Sequence, residues 1–239
     1  MSLNQTTSQK LHIRLGDLIN SLQAGEKLPS EPELARQLGV SRATLREAMR
    51  TFETQGLIHR RQGSGTYVAR PSQVIESGLE VLESIETLAR QINLPVAMGE
   101  MHSEEKSADQ EEAAVLGIEP GETIMEVTRV ILAEGQPAAY LIDILPKKIL
   151  TQKDLQEGFT GSVLDILLRE KALNLSSSRC EINAVIASSE VARALGIQKG
   201  DVLLRFIAYL YTVTGQMVDH SYSYFLPGYF KFHVVRRVG

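Results

Sequence analysis

The chain has 239 residues, of which 43% are hydrophobic, and a formal net charge of −4, so it is long and apolar enough to build two folded domains. No apolar run approaches the ~20 residues that span a bilayer, and the N-terminus lacks the apolar core of a signal peptide. The single cysteine, Cys180, cannot form an internal disulfide, and no His-based pattern marks it as a catalytic thiol. We therefore expect neither a membrane protein nor a disulfide-rich secreted domain, and we predict a cytoplasmic location.

Charge is distributed unevenly along the chain. Residues 1–70 contain ten Lys and Arg against six Asp and Glu, a net of +4, whereas the remaining residues have a net of −8. Only the N-terminal part is therefore suited to a polyanion such as DNA, which the overall acidic balance conceals.

Residues 30–54 predict two helices joined by a tight turn. Ser30 is expected to cap the first helix, with Glu33 completing a capping box, and Gly39 ends it. Apolar residues recur at helical spacing in both segments, so the two helices can pack together. Because only Gly39, Val40 and Ser41 separate them, the helices must cross steeply, which is typical of a helix-turn-helix.

The outward face of the second helix carries Arg42, Arg46 and Arg50 at four-residue spacing, beside Ser41 and Thr44. An arginine near the start of such a helix can donate two hydrogen bonds to guanine, which discriminates between bases by roughly 1–3 kcal/mol. The alternative is a solvated helix face on which the arginines pair with neighbouring glutamates.

The segment after Gly56 predicts a basic hairpin of the kind that forms the wing of a winged helix. Arg60 and Arg61 end its first strand, and the turn consists of Gln62, Gly63, Ser64 and Gly65. The glycines leave backbone N–H groups open to a phosphate or a groove edge. A nucleotide-binding loop is the competing interpretation, but a third glycine is missing and no helix follows the turn.

The motif L-P-S-E-x-E-L-A-x-x-L-G-V-S-R-x-T-L-R-E-A, followed by G-L-I and R-x-G-x-G-T-Y-V, resembles the DNA-binding domain of GntR-type bacterial transcription regulators. The resemblance implies operator contacts from Ser41, Arg42, Thr44, Arg46 and the wing glycines. Pro32 stands where family members usually have Arg, so one phosphate contact is expected to be missing.

The chain after the hairpin predicts a domain boundary and then a second domain. Arg70-Pro71-Ser72 marks the boundary, and the pattern over 74–91 predicts one amphipathic connector helix. The acidic segment that runs to Pro120 is interpreted as a solvated helix face and not as a metal site. The expected domains are residues 1–70, a linker and connector helix over 71–92, and residues 93–239.

An internal repeat defines the second domain. Residues 112–122 and 190–201 each predict a short helix, a Gly stop and a turn into a hairpin. Neither hairpin can bury its face alone, so the two copies are expected to join in one antiparallel sheet. Between them, Gly161 and Ser162 begin a helix that runs to Glu170.

This α+β arrangement resembles the ligand-binding UTRA domain of the HutC-type branch of GntR regulators, whose fold is shared with chorismate lyase. The resemblance covers most of residues 75–236. It implies effector contacts from Arg129, Ser162 and Asp219, which match the pattern of sugar-phosphate sensors. Ile131 replaces a second arginine and Leu141 replaces a first acid, so a carboxylate or a more apolar effector becomes plausible.

Arg129 and the helix start at Ser162 are expected to hold one monoanion. Further candidates for the pocket lining are Tyr140, Asp219, Tyr222 and Tyr224. Two alternatives stay open: Arg129 could pair with Glu126 or Asp143, and the tyrosines could simply be half-buried sheet residues.

Together the patterns predict a homodimer that binds double-stranded operator DNA and an anionic or partly apolar metabolite, and the family expectation is repression relieved by the ligand. The rival hypothesis is an enzyme of chorismate-lyase-like fold. Because no paired carboxylates, triad, metal-ligand spacing or cofactor motif is present in the second domain, we predict a non-enzymatic protein without cofactor or metal.

Overall fold

A computed structural model of the chain describes residues 7–54, 56–61, 63–68, 73–156 and 159–237. These residues form an N-terminal helical domain with a hairpin and a C-terminal domain built on a six-stranded sheet. Within the described part of the chain, no helix is long and apolar enough to cross a membrane.

The N-terminal domain is a winged helix-turn-helix. Its elements are α1 (Thr7–Ser21), α2 (Glu31–Leu38), α3 (Arg42–Thr54), β1 (Ile58–Arg61) and β2 (Gly65–Val68). The two strands pair antiparallel, as the wing prediction requires. Leu15 and Ile19 of α1 are fully buried against Leu34, Leu45 and Met49 of the helix-turn-helix, so α1 closes a single apolar core.

The turn between α2 and α3 has the predicted geometry. Gly39 ends α2 with φ 71°, a left-handed conformation that glycine adopts without steric cost. Ser41 caps α3, since its Oγ accepts a hydrogen bond from the Thr44 N–H at 3.1 Å. The capping box predicted at Ser30 was wrong, because Ser30 makes no side-chain cap bond. Pro32 removes one of the two N–H groups from which a capping Ser30 side chain could accept a hydrogen bond.

The predicted connector helix over 74–91 was wrong in its first half. Residues there form a strand, β3 (Ile75–Gly78), and only the second half is helical. The helix is α4 (Ile85–Gln91), and it begins at the capping Ser84. β3 pairs in parallel with a strand from the end of the chain, β10 (Phe230–His233), so a distant partner decides its conformation.

The sheet of the C-terminal domain contains both copies of the repeat, as predicted. Its order is β4-β5-β6-β9-β8-β7. The strands are β4 (Val96–Ser107), β5 (Thr123–Ala133), β6 (Gln136–Pro146), β7 (Leu175–Ile186), β8 (Val202–Thr212) and β9 (Met217–Phe225). The repeat helices α5 (Gln110–Leu116) and α7 (Ser189–Leu195) each end at a left-handed glycine. The acidic segment before Pro120, predicted as a helix face, is split between β4 and α5.

Two layers cover the two faces of this sheet. Helices α5 and α7 pack on one face, against Ile124, Val130 and Tyr140 among others. The opposite face packs against α6 (Val163–Arg169), and β10 and α4 cover its other end. Side chains alternate along each strand, so a residue's position in the strand decides which layer it meets.

Candidate DNA-reading surface and effector site

The first half of α3 presents an exposed polar surface. Ser41, Arg42, Thr44 and Arg46 are all exposed at this end of the helix. The Arg46 side chain is 57% exposed, and its Nη2 lies 3.0 Å from the Glu31 carboxylate at the start of α2. An exposed ion pair of this kind contributes only about 0–1 kcal/mol, so Arg46 can exchange Glu31 for another acceptor at little cost.

Arg60, a predicted DNA contact, lies inside the domain. Its side chain is 15% exposed, and its guanidinium lies 3.1 Å from Glu31 and 2.9 Å from Glu53. Burial raises the pKa of the Glu53 carboxyl, and Arg60 opposes that rise. Arg60 therefore holds β1 against α2 and α3, which corrects its assignment to the DNA surface.

The wing tip is open to solvent, whereas Arg61 at its base is half-buried. Gly63, Ser64 and Gly65 are exposed, and Gln62 lies outside the described residues. The Arg61 guanidinium lies 4.9 Å from the centroid of the Tyr67 ring, and it donates a hydrogen bond to Gln136 of β6. Arg61 thus connects the wing with the second domain in this structure.

A cleft of about 990 Å³ separates the two domains, and α3 forms one of its walls. Arg46 and Arg50 line it on one side, and the turn over 198–201 between α7 and β8 lines it on the other. Gly56 packs directly against Pro227 and Gly228, where an added Cβ would collide with backbone. The predicted reading helix therefore faces the second domain across this cleft.

Arg129 lies at the centre of a buried polar cluster on the α6 face of the sheet. Its side chain is only 4% exposed, and it donates hydrogen bonds to the Asp143 carboxylate and to the Gly161 carbonyl. Of the two ion-pair partners left open by the sequence, Asp143 is the one that Arg129 contacts. Glu126 lies on the opposite face and pairs with Lys106 at 2.6 Å.

Two further carboxyl groups face this ion pair. Asp219 of β9 is 7% exposed, and its Oδ1 is buried without a hydrogen-bond partner among the described residues. Burial and the Asp143 carboxylate raise the pKa of Asp219 well above its ordinary value, although Arg129 opposes them. Glu86 of α4 also has a buried, unpartnered oxygen in this part of the chain, and burial raises its pKa. The cluster therefore holds three carboxyl groups and one guanidinium.

Ser162 lies beside the cluster but caps its own helix. Its Oγ accepts a hydrogen bond from the Asp165 N–H at 2.9 Å, which confirms the predicted helix start. The preceding Gly161 has φ 112°, and an added Cβ would stand 3.0 Å from Glu86 Oε1. Ser162 Oγ thus occupies one of the free N–H groups at the start of α6, and Arg129 is already paired with Asp143.

The three tyrosines predicted to line the effector site lie on the other face of the sheet. Tyr140 donates a hydrogen bond to Glu190 of α7 at 2.9 Å, and Tyr222 bonds His220 at the same distance. Tyr224 packs with Tyr140, with ring centroids 6.3 Å apart. Strand alternation puts the sheet between these rings and Arg129, which corrects their assignment to one pocket.

A surface cleft of about 700 Å³ runs between α4 and α6 and leads to the cluster. Glu86 lines this cleft and also interacts electrostatically with Arg129 and Asp143. The sequence analysis did not select Glu86 or Gly161 as site residues. The sequence signal available for Glu86 was its position two residues after the helix-capping Ser84. That signal does not predict its approach to Arg129, which depends on the tertiary fold.

This architecture defines a class of protein: a winged helix-turn-helix of the kind that binds DNA, joined to a sheet domain that contains a buried polar cluster. A family model for bacterial regulatory proteins of the gntR family matches residues 7–68, and a model for the UTRA domain matches residues 101–231. The chain belongs to the gntR family and carries a UTRA domain. The fold prediction is confirmed, and so is the prediction that the chain is a transcription regulator and not an enzyme.

Relatives and solved structures agree with this assignment. The chain is 30% identical over 214 residues to the HTH-type transcriptional repressor NagR of Bacillus subtilis, covering 90% of this chain and 85% of that protein. It is 29% identical to the histidine utilization repressor of Pseudomonas putida, covering 74% and 70% of the two chains. The crystal structure of PhnF from Mycobacterium smegmatis has a similar fold, with a TM-score of 0.64, 23% identity and coverage of 96% and 100%.

Proposed function

We propose that the protein is a repressor that binds a two-fold symmetric operator as a homodimer and leaves it when a metabolite binds the UTRA domain. The observation that carries the operator-binding part is the exposed row of Ser41, Arg42, Thr44 and Arg46 at the start of α3. Helix-turn-helix dimers place this end of the second helix in the major groove at half-sites about one helical turn apart. The names of the two relatives, both repressors, support the direction of control. We infer that the protein acts in the cytoplasm, where operator DNA lies.

Within this proposal, the wing tip meets the DNA backbone beside the helix. Gly63, Ser64 and Gly65 are exposed and can bring backbone N–H groups close to a phosphate. Gln62 and Arg50 stay in the proposed contact surface. Arg61 joins it only if its bond to Gln136 is exchanged for a phosphate oxygen.

The proposed effector site is the cluster around Arg129, with Asp219 and the residues near Ser162. Buried polar atoms without partners are costly in a folded protein, and they are found where a ligand supplies the missing bond. The oxygens of Asp219 and Glu86 meet this description in the part of the chain that the structure describes.

We propose that the interdomain cleft couples the two sites. A DNA duplex on α3 would have to occupy space that Arg46 and Arg50 now share with the turn over 198–201. The operator-bound state therefore needs a wider cleft than this structure has. An effector that prefers one cleft width changes the operator affinity, and a coupling of ~1–3 kcal/mol gives a change of roughly 5–150-fold.

The operator proposal is tested by selecting duplexes from a random library with the full-length protein and measuring affinity by fluorescence anisotropy. Arg46→Ala should lose about 1–3 kcal/mol on the selected duplex and discriminate less between bases at one position. Arg36→Ala removes the same charge from exposed α2 and is the matched control, which should keep the sequence preference. Equal losses on selected and random duplexes for Arg46→Ala would contradict base reading by this residue.

A further inference from the structure

The buried cluster of the UTRA domain has an excess of acidic groups. One guanidinium, Arg129, faces the carboxyl groups of Asp143, Asp219 and Glu86. Arg129 donates through Nη1 to Asp143 and through Nε to the Gly161 carbonyl, and these two bonds hold it against β6 and the segment before α6. Three carboxyl groups therefore share one guanidinium in the cluster, and two further arginines, Arg90 and Arg169, line the surface cleft between α4 and α6.

The unpartnered atoms in the cluster are acceptors. Asp219 Oδ1 and Glu86 Oε1 are both buried without a hydrogen-bond partner within the described ranges, and the Ser221 hydroxyl is the neighbour that interacts with the Asp219 carboxylate. A carboxylate oxygen in such a place is stabilised by a donor, and most strongly by a positively charged one. An anionic ligand would instead add negative charge beside three carboxyl groups and would compete with Asp143 for Arg129.

The surroundings of the cluster fit a small organic cation. The cleft between α4 and α6 reaches Glu86 from the surface. On the same face of the sheet, Ile131 and Leu141 are buried directly beside Arg129 and form an apolar wall. These are the positions where the resemblance to sugar-phosphate sensors fails, and both departures replace a charged group by an aliphatic one.

We propose that the effector is an organic cation, an ammonium or guanidinium compound with a short apolar body, whose nitrogen donates hydrogen bonds to Asp219 and Glu86. The apolar body packs against Ile131 and Leu141. This inference rests on the proposed function, since it names the ligand class for the effector site proposed above.

The burial of Asp219 gives this ligand a regulatory effect. Asp219 Oδ1 has no access to solvent in this structure, so a cation reaches it only after a conformational change of the domain. The ligand then binds one conformation of the domain better than the other, which is what any effector must do to change operator binding.

The test uses probes that share a body and differ only in charge: butylammonium, butanol and butyrate, together with agmatine and phenethylammonium. Thermal unfolding of the full-length protein is measured with each probe, and the dissociation constant of each stabilising probe is then measured by calorimetry. We expect the cations to raise the Tm and butanol and butyrate to leave it unchanged. Stabilisation by butyrate that equals or exceeds that by butylammonium would overturn the proposal.

Two variants locate the binding. Asp219→Asn keeps the shape of the side chain and should weaken cation binding by about 10–100-fold, the range for a hydrogen bond to a charged group. Glu86→Gln serves as a second variant should the first fail to fold. Glu190→Gln removes a carboxylate from the opposite face of the sheet and should leave cation binding unchanged. Cation binding that is as strong in both Asp219→Asn and Glu86→Gln as in wild type would contradict the assignment.

A metabolite extract separated by ion exchange into cationic, neutral and anionic fractions distinguishes failure of the ligand class from failure of the proposed function. The inference expects the cationic fraction to release the operator duplex. Release by only the neutral or anionic fraction would overturn the ligand class but leave the effector-controlled regulator intact. If no fraction altered operator binding and no probe stabilised the protein, both the inference and the effector part of the proposed function would fail.

Discussion

Replacement of Arg129 by Met removes the only guanidinium of the buried cluster while keeping an unbranched side chain of similar length. Arg129 is 4% exposed and pairs with Asp143, so the variant leaves a buried carboxylate without its partner. Breaking a buried ion pair from one side costs about 3–5 kcal/mol of unfolding free energy. Lys147→Met is the matched control, because Lys147 pairs with Glu105 at 2.6 Å but lies half-exposed, and it should cost about 0–1 kcal/mol.

The loss of stability in Arg129→Met should depend on pH in a defined direction. A carboxyl group whose folded pKa is raised binds more protons in the folded state than in the unfolded state. Such a group lowers the free energy of unfolding as the pH rises from the pKa of the group in the unfolded state, near 4, to its pKa in the folded state. Without Arg129 the pKa values of Asp219 and Glu86 rise further, because Arg129 opposes both rises. For each additional proton that the folded state holds between pH 5 and pH 7 and the unfolded state does not, the free energy of unfolding is about 2.7 kcal/mol lower at pH 7 than at pH 5.

Urea unfolding followed by tyrosine fluorescence measures this effect. The chain has no tryptophan, and of its seven tyrosines only Tyr67 lies in the DNA-binding domain, so the signal reports mainly on the UTRA domain. The reasoning would be refuted if Arg129→Met cost less than the Lys147→Met control. It would also be refuted if the difference between Arg129→Met and wild type were the same at pH 5 and pH 7.

Three further predictions follow from single contacts. Gly161→Ala should lower the free energy of unfolding by about 1–3 kcal/mol, and by more than Gly121→Ala. Both glycines have positive φ, but only at Gly161 would an added Cβ lie within 3.3 Å of Glu86 Oε1 and the Met98 Cβ. Equal losses for the two variants in urea unfolding would contradict crowding at Gly161. Ser41→Ala should lose the cap of α3, about 0.5–2 kcal/mol, and weaken operator binding, whereas Ser188→Ala should cost the same stability without affecting the operator. Butylammonium affinity should rise with pH from 6 to 8, because only the ionised carboxylate of Asp219 accepts hydrogen bonds from a cation. Below the raised pKa of Asp219, the rise is up to about tenfold per pH unit. Calorimetry that finds tighter binding at pH 6 than at pH 8 would contradict this prediction. Asp219 interacts with Arg129 and Asp143, and Glu86 interacts with Arg129, Asp143 and Asp165, while Arg90 and Arg169 line the cleft beside Glu86.

The DNA-binding domain could be predicted from sequence because its signals are local. The Gly39 stop, the Ser41 cap and the wing glycines all act within a few residues, and the structure has each of them. Helix α1 was missed, although Leu11, Leu15 and Ile19 recur at four-residue spacing and are all buried.

The effector site could be predicted only in part, because strand pairing assembles it. Arg129 and Asp143 are diagonal neighbours on β5 and β6, and the register of the sheet is needed to see that they meet. The same register separates Tyr140, Tyr222 and Tyr224 from Arg129. β3 was mistaken for helix since its partner, β10, lies more than 150 residues away along the chain.

In the proposed mechanism, the buried cluster of the UTRA domain controls operator binding by α3. This control is tested most directly by measuring the operator affinity of the full-length protein by anisotropy, with and without a saturating cationic ligand, in wild type and Asp219→Asn. We expect the ligand to change the wild-type affinity by roughly 5–150-fold and to leave the affinity of Asp219→Asn nearly unchanged. An operator affinity that is the same with and without bound ligand in wild type would contradict it.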